Sequence, residues 1–200
     1  MKRCFTLLLV LLLTACGTDH PKLPRLSQEA VVLAFGDSLT YGTGVAEQDS
    51  YPAVLQRLIS RTVVRAGVPG EVTAAGLARL PDALDEHVPK LLILCHGGND
   101  FLRNLGEQQA AANIRAMITL AKAKGVAVVL VGVPKAGLLL SPPEFYEEIA
   151  QEFGIPYEAA TLSDILMSRA LKSDTVHPNA QGYRKLAEAL AGLLRESGAI

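Results

Sequence analysis

The stretch Val31-Val32-Leu33-Ala34-Phe35-Gly36-Asp37-Ser38-Leu39 decides how this chain folds. Five apolar residues follow one another, and Gly-Asp-Ser then breaks the run. A short apolar run bounded by turn residues is the pattern of a strand buried on both faces, since neither face meets water. Residues 62–66, 91–95 and 126–131 repeat it with Val, Ile and Leu, and a weaker fifth run lies around 155–157. Between these runs the apolar period becomes that of helices. Tyr51, Val54, Leu55, Leu58 and Ile59 share one helical face, as do Ile114, Met117, Ile118 and Ala121, with Gly125 placed as a C-terminal cap. The clearest stripe is the last: Tyr183, Leu186, Ala187, Leu190, Leu193 and Leu194. Strands alternating with helices predict an α/β fold, a three-layer α/β/α sandwich around a parallel sheet of about five strands.

In such a sheet ligands sit beyond the carboxyl ends of the strands. Ser38, Gly70 and Asn99 each follow a strand by a few residues, so all three open onto that edge. Near the end of the chain, Asp174-Thr175-Val176-His177 adds a carboxylate and an imidazole three residues apart. Together these are the parts needed for acyl transfer to a serine: a nucleophile, a base with its orienting carboxylate, and oxyanion donors. Each stretch read singly has an ordinary structural alternative. Ser38 could cap a helix, Gly97-Gly98-Asn99-Asp100 could be turn chemistry, and Pro178 after His177 could begin a helix. Asp37 and Asp100 are expected to brace their loops by hydrogen bonding, and Cys95 to pack in the core. Cys95 and His96 lie side by side, but no further residues at ligand spacing accompany them, so no metal site and no cofactor are expected.

The order of the blocks makes a resemblance specific. Phe35-Gly36-Asp37-Ser38-Leu39-Thr40-Tyr41-Gly42 resembles the first block of the GDSL, or SGNH, esterases. Gly67-Val68-Pro69-Gly70-Glu71, running on to Gly76-Leu77-Ala78-Arg79-Leu80, resembles the second. Gly97-Gly98-Asn99-Asp100 resembles the third, and Asp174 to His177 with Pro178 the last. The likeness is to the bacterial branch of arylesterases, lysophospholipases and acyl-CoA thioesterases. It implies a flavodoxin-like SGNH hydrolase fold, with Ser38 as nucleophile, His177 as base, Asp174 as its partner, and the Ser38 amide, Gly70 and Asn99 as the oxyanion hole. The second block departs from the family at Arg65, Pro69 and Val72, where Asn, Ser and Thr are usual.

The first residues are read apart from the fold. Lys2 and Arg3 precede an apolar run from Phe5 to Leu13, too short for the roughly 20 residues that span a bilayer and suited to a secretory signal. Leu13-Thr14-Ala15-Cys16 resembles a bacterial lipobox, which implies lipidation of Cys16 and a membrane anchor outside the cytoplasm, on the outer membrane facing the periplasm. The expected organisation is a signal at 1–15, the lipidated cysteine and a tether over 16–28, and one hydrolase domain over 29–200. Without Lys2 and Arg3 the 19 basic residues fall to 17 against 20 acidic ones, a net charge of −3. With no basic tract left, nucleic acid is excluded as a partner.

Substrate choice rests on Ala136-Gly137-Leu138-Leu139-Leu140-Ser141-Pro142-Pro143, which follows the fourth strand. Exposed, Leu138, Leu139 and Leu140 would form an acyl-chain platform; packed inward, they would plug the core. The platform implies medium or long acyl esters, lysophospholipids or thioesters, and the plug short acetyl or aryl esters. Carbohydrate O-acetylesterase is the second enzymatic reading. A non-catalytic lipoprotein that binds lipid or glycan is the reading outside enzymes.

Overall fold

The computed structural model describes residues 21–135 and 140–200. Their sheet has five strands: β1 (Val32–Gly36), β2 (Val63–Gly67), β3 (Leu91–Cys95), β4 (Ala127–Val131) and β5 (Tyr157–Glu158). All pair in parallel, in the order β2-β1-β3-β4-β5. Every residue of β1 and β3 is buried, as continuous apolar runs require. The run at 62–66 was expected to be buried on both faces, yet β2 keeps only Val63 fully buried. It is an edge strand with a neighbour on one side only, which leaves room there for the charged Arg65.

Eight helices cover the sheet among the described residues: α1 (Ser38–Tyr41), α2 (Tyr51–Ile59), α3 (Thr73–His87), α4 (Gly98–Leu102), α5 (Glu107–Ala123), α6 (Phe145–Phe153), α7 (Thr161–Met167) and α8 (Ala180–Glu196). α2 packs with α8 and α8 with α7, while α3 packs with α5 and α5 with α6, giving a layer on each face. The stripe read from 183 to 194 is the buried face of α8. Burying a leucine such as Leu190 or Leu194 completely contributes about 1.5–3 kcal/mol relative to leaving it in water.

The segment ahead of β1 docks on the far end of the fold. Leu23 and Leu26 donate backbone hydrogen bonds to the carbonyls of Ser197 and Ala199, each at 2.9 Å. Leu26 is 5 % exposed and belongs to the core. An apolar residue within reach of the end of α8 docks there, despite the polar neighbours and prolines that read as linker.

The sheet order places the functional edge. The chain passes from β1 to β2 on one side and to β3 on the other, so a crevice opens between the loops after β1 and β3. One glycine is required for that packing. A Cβ on Gly67 would run into the Asp37 carbonyl and the Tyr41 amide, and would push α1 off the sheet edge.

Candidate active site

Ser38 opens α1, and the helix is fixed at both ends. Asp37 is its N-cap, its Oδ1 accepting from the Leu39 amide at 3.0 Å. Asp37, not Ser38, therefore does the capping, and the serine hydroxyl is not spent on the helix end. At the other end Arg65 Nη1 donates to the Tyr41 carbonyl at 2.6 Å, and its guanidinium lies over the Tyr41 ring. The departure at Arg65 thus clamps the helix that carries the serine.

Ser38 Oγ lies 2.9 Å from His177 Nε2, and His177 Nδ1 lies 2.7 Å from Asp174 Oδ2. The three-residue spacing has a local cause. Asp174 Oδ1 accepts from the Val176 and His177 amides at 2.8 and 2.9 Å, closing a turn that leaves Oδ2 facing the ring. Partial burial works to raise the Asp174 pKa, but the hydrogen bonds from the His177 ring and the two amides outweigh it and hold the carboxyl below its ordinary range. An ionised Asp174 accepts from Nδ1–H, which leaves Nε2 to accept the Ser38 proton. Pro178 stands just before α8, whose cap is Asn179.

Gly70 and Asn99 reach the same place from the loops after β2 and β3. Gly70 has a φ of 78°, in the left-handed region that glycine adopts without strain. Among the described residues neither its amide nor that of Ser38 meets an acceptor, so both N–H groups are available to a substrate oxygen. Pro69 removes a neighbouring donor but leaves the Gly70 amide untouched. Asn99 Nδ2 donates to Asp37 Oδ2 at 3.1 Å and to the Glu71 carbonyl at 3.0 Å.

Behind these groups the buried carboxylates brace the loops. Burial pushes the Asp37 carboxyl above its ordinary range, against the opposing hydrogen bonds from the Leu39 amide and the Asn99 side chain. Asp100 accepts from the Thr73 amide at 2.8 Å and the Thr73 hydroxyl at 2.6 Å, pinning α4 to α3. Cys95 is fully buried, which raises its thiol pKa well above the ordinary value, so it packs rather than reacts. No cluster of three or more His, Cys, Asp or Glu suited to a metal occurs among the described residues. Sequence reasoning missed one set of side chains. Glu71, Arg79 and His96 come from separate segments and meet under the loop of Gly70, where Arg79 Nε and Nη2 lie 2.8 and 2.7 Å from the Glu71 carboxylate.

Ser38 and His177 line a cavity of about 490 Å³. Its walls are largely apolar, with Leu39, Phe101, Leu102, Val133, Leu166 and Val176 among them. Leu140 is half-buried and belongs to the wall, whereas Leu138 and Leu139, like Cys16, lie outside the described residues. A reactive hydroxyl, a base and free amide donors at the mouth of an apolar cavity can attack an acyl ester and hold its chain.

The pattern of the GDSL-like lipase/acylhydrolase family matches residues 34–185. The chain is 28 % identical over 202 residues to an arylesterase of Vibrio mimicus, covering 96 % of both. It is 28 % identical over 179 residues to a thioesterase, protease and lysophospholipase of Escherichia coli, covering 86 % of both. Among solved structures the crystal structure of TesA superposes with a TM-score of 0.73 at 27 % identity, over 84 % of this chain and 99 % of that one.

Proposed function

The chain belongs to the GDSL-like lipase/acylhydrolase family and is a carboxylic ester hydrolase, and we propose that it is a serine esterase acting on medium- or long-chain acyl esters. Ser38 Oγ attacks the ester carbonyl while its proton passes to His177 Nε2, and the ionised Asp174 stabilises the imidazolium. The charge that develops on the carbonyl oxygen is met by the Ser38 and Gly70 amides. Asn99 adds a proton from Nδ2, which the oxyanion draws from a weaker carbonyl acceptor. His177 gives its proton to the leaving alcohol or thiol, and water then releases the acyl group from Ser38 by the same steps reversed.

One observation carries this reading: the unbroken hydrogen-bonded line from Asp174 through His177 to Ser38, ending at an apolar cavity. Its relatives carry the names arylesterase, thioesterase and lysophospholipase, and the cavity favours those with an acyl chain over a carbohydrate acetylesterase. Ser38→Ala should remove turnover of p-nitrophenyl esters while the protein stays folded, and a fluorophosphonate should label the wild type at Ser38 alone. A folded Ser38→Ala protein with wild-type activity would overturn the mechanism. The resemblance of Leu13-Thr14-Ala15-Cys16 to a lipobox supports an exported, lipid-anchored enzyme that works at a membrane surface supplying acyl lipids.

A further inference from the structure

Directly after β3, His96 is fully buried, and both ring nitrogens and its carbonyl are engaged. Nδ1 accepts from the Gly97 amide at 3.0 Å. The ring proton therefore resides on Nε2, which donates to Glu71 Oε2 at 3.2 Å. Tyr146 Oη donates to the His96 carbonyl at 2.7 Å. We propose that His96 is a positioning residue that locks the two oxyanion loops to each other, joining Glu71 after β2 to Gly97 after β3. This inference rests on the serine-esterase reading.

Glu71 is the joint through which His96 acts. Its side chain is clamped by His96 and Arg79, while its carbonyl accepts from Asn99 Nδ2 at 3.0 Å and its amide follows Gly70. Fixing the Glu71 side chain thus fixes the peptide next to one oxyanion donor and the carbonyl that holds the other in place until the oxyanion takes its proton. The Gly97 end does the same for the loop that carries Asn99. Burial alone would raise the Glu71 carboxyl, but the hydrogen bonds from Arg79 and His96 bring it to about 2, so the joint stays charged and bound. Room for the ring is provided by Gly76 of α3, where a Cβ would strike His96 Nε2 and come within 3.3 Å of Glu71 Oε2. A buried imidazole is costly unless both nitrogens find partners. Here the partners are the two loops that the reaction needs held still.

Substitutions separate this role from packing. His96→Leu keeps the volume and removes both links, His96→Gln keeps a donor near Glu71, and His96→Asn keeps an acceptor near Gly97. His96→Leu should lower kcat by roughly ten- to hundredfold, as expected when catalytic donors lose their alignment, with KM within about twofold of wild type. It should weaken an alkyl boronic acid, which forms a tetrahedral adduct at Ser38, by the same factor. His96→Gln should recover most of the loss in both readouts. Glu71→Gln, which keeps the fold but weakens the joint, should move both in the same direction and serves should His96→Leu fail to fold. Wild-type kcat in folded His96→Leu or Glu71→Gln would overturn the proposal, as would a loss in His96→Leu that His96→Gln does not relieve. Ser38→Ala assayed beside them keeps the two readings apart. If it is inactive while His96→Leu is fully active, only the role of His96 falls; if it is active, the serine-esterase reading falls.

Discussion

Leu102 offers the sharpest test of the acyl cavity, because it is 53 % exposed and still part of the wall. A side chain so open contributes little to folding, so Leu102→Ser should leave the melting temperature within a few degrees of wild type. Its effect on substrates follows from the surface it offers. Full burial of a leucine is worth about 1.5–3 kcal/mol, and a bound chain can cover only the half that folding leaves open. The change should therefore cost a long acyl chain about 1 kcal/mol, or fivefold in kcat/KM. The cavity holds about 490 Å³, room for roughly 16 molecules of water at about 30 Å³ each, about twice the number of carbons in an octanoyl chain. An octanoyl ester therefore fits, and each added methylene can gain up to about 0.8 kcal/mol until the site is full. The assay is kcat/KM for p-nitrophenyl esters from acetyl to decanoyl. Wild type should climb with chain length, and Leu102→Ser should climb less steeply while matching wild type on acetate. Equal losses on acetate and octanoate, or an unchanged slope, would refute the cavity as the acyl site.

Asp174→Asn should leave the turn largely intact but present a side chain that no longer fixes the imidazole proton on Nδ1; turnover should fall by roughly a thousandfold or more, as in other serine triads, and a loss below tenfold in steady-state assays would count against the assignment. Glu71 is depressed in the folded state, so its stabilisation is complete above its ordinary pKa near 4.5 and is lost as pH falls towards about 2. The gap in urea midpoint between wild type and Glu71→Gln should therefore shrink through that acidic window, and a gap that does not depend on pH would show that the Arg79 and His96 contacts do not hold the charge. Cys16→Ser should move the protein from the membrane fraction to the soluble one or leave its leader uncleaved; a wild-type protein that is already fully soluble and does not begin at Cys16 would remove the anchor.

Much of the fold was legible because buried parallel strands write themselves plainly. The runs at 31–35, 91–95 and 126–131 fall within a residue of β1, β3 and β4 at each end. The stripe of α8 shows its period without interruption. α3 is less legible, since Pro81 stands inside it and removes a helical donor, while the helix packs against α5 and the sheet. β2 reads like an inner strand, since a sequence records that residues are apolar but not how many neighbours a strand has. The docking of Leu23 and Leu26 on the end of α8 is equally invisible, being a contact between opposite ends of the chain.

The sequence by itself determined the α/β class and singled out the candidate site residues, because strand and turn signals are local and Gly-Asp-Ser, Gly-Gly-Asn-Asp and Asp-Thr-Val-His are each contiguous segments at or just beyond the ends of regular elements. Tertiary structure alone decided how they meet. The order β2-β1-β3-β4-β5 brings the loops after three strands to one edge, and the loop ahead of α8 holds His177 within 2.9 Å of a serine 139 residues away. The clamp of His96, Arg79 and Glu71 has the same origin, for hydrogen bonds between buried groups depend on where the backbone places them and leave no periodic mark along the chain.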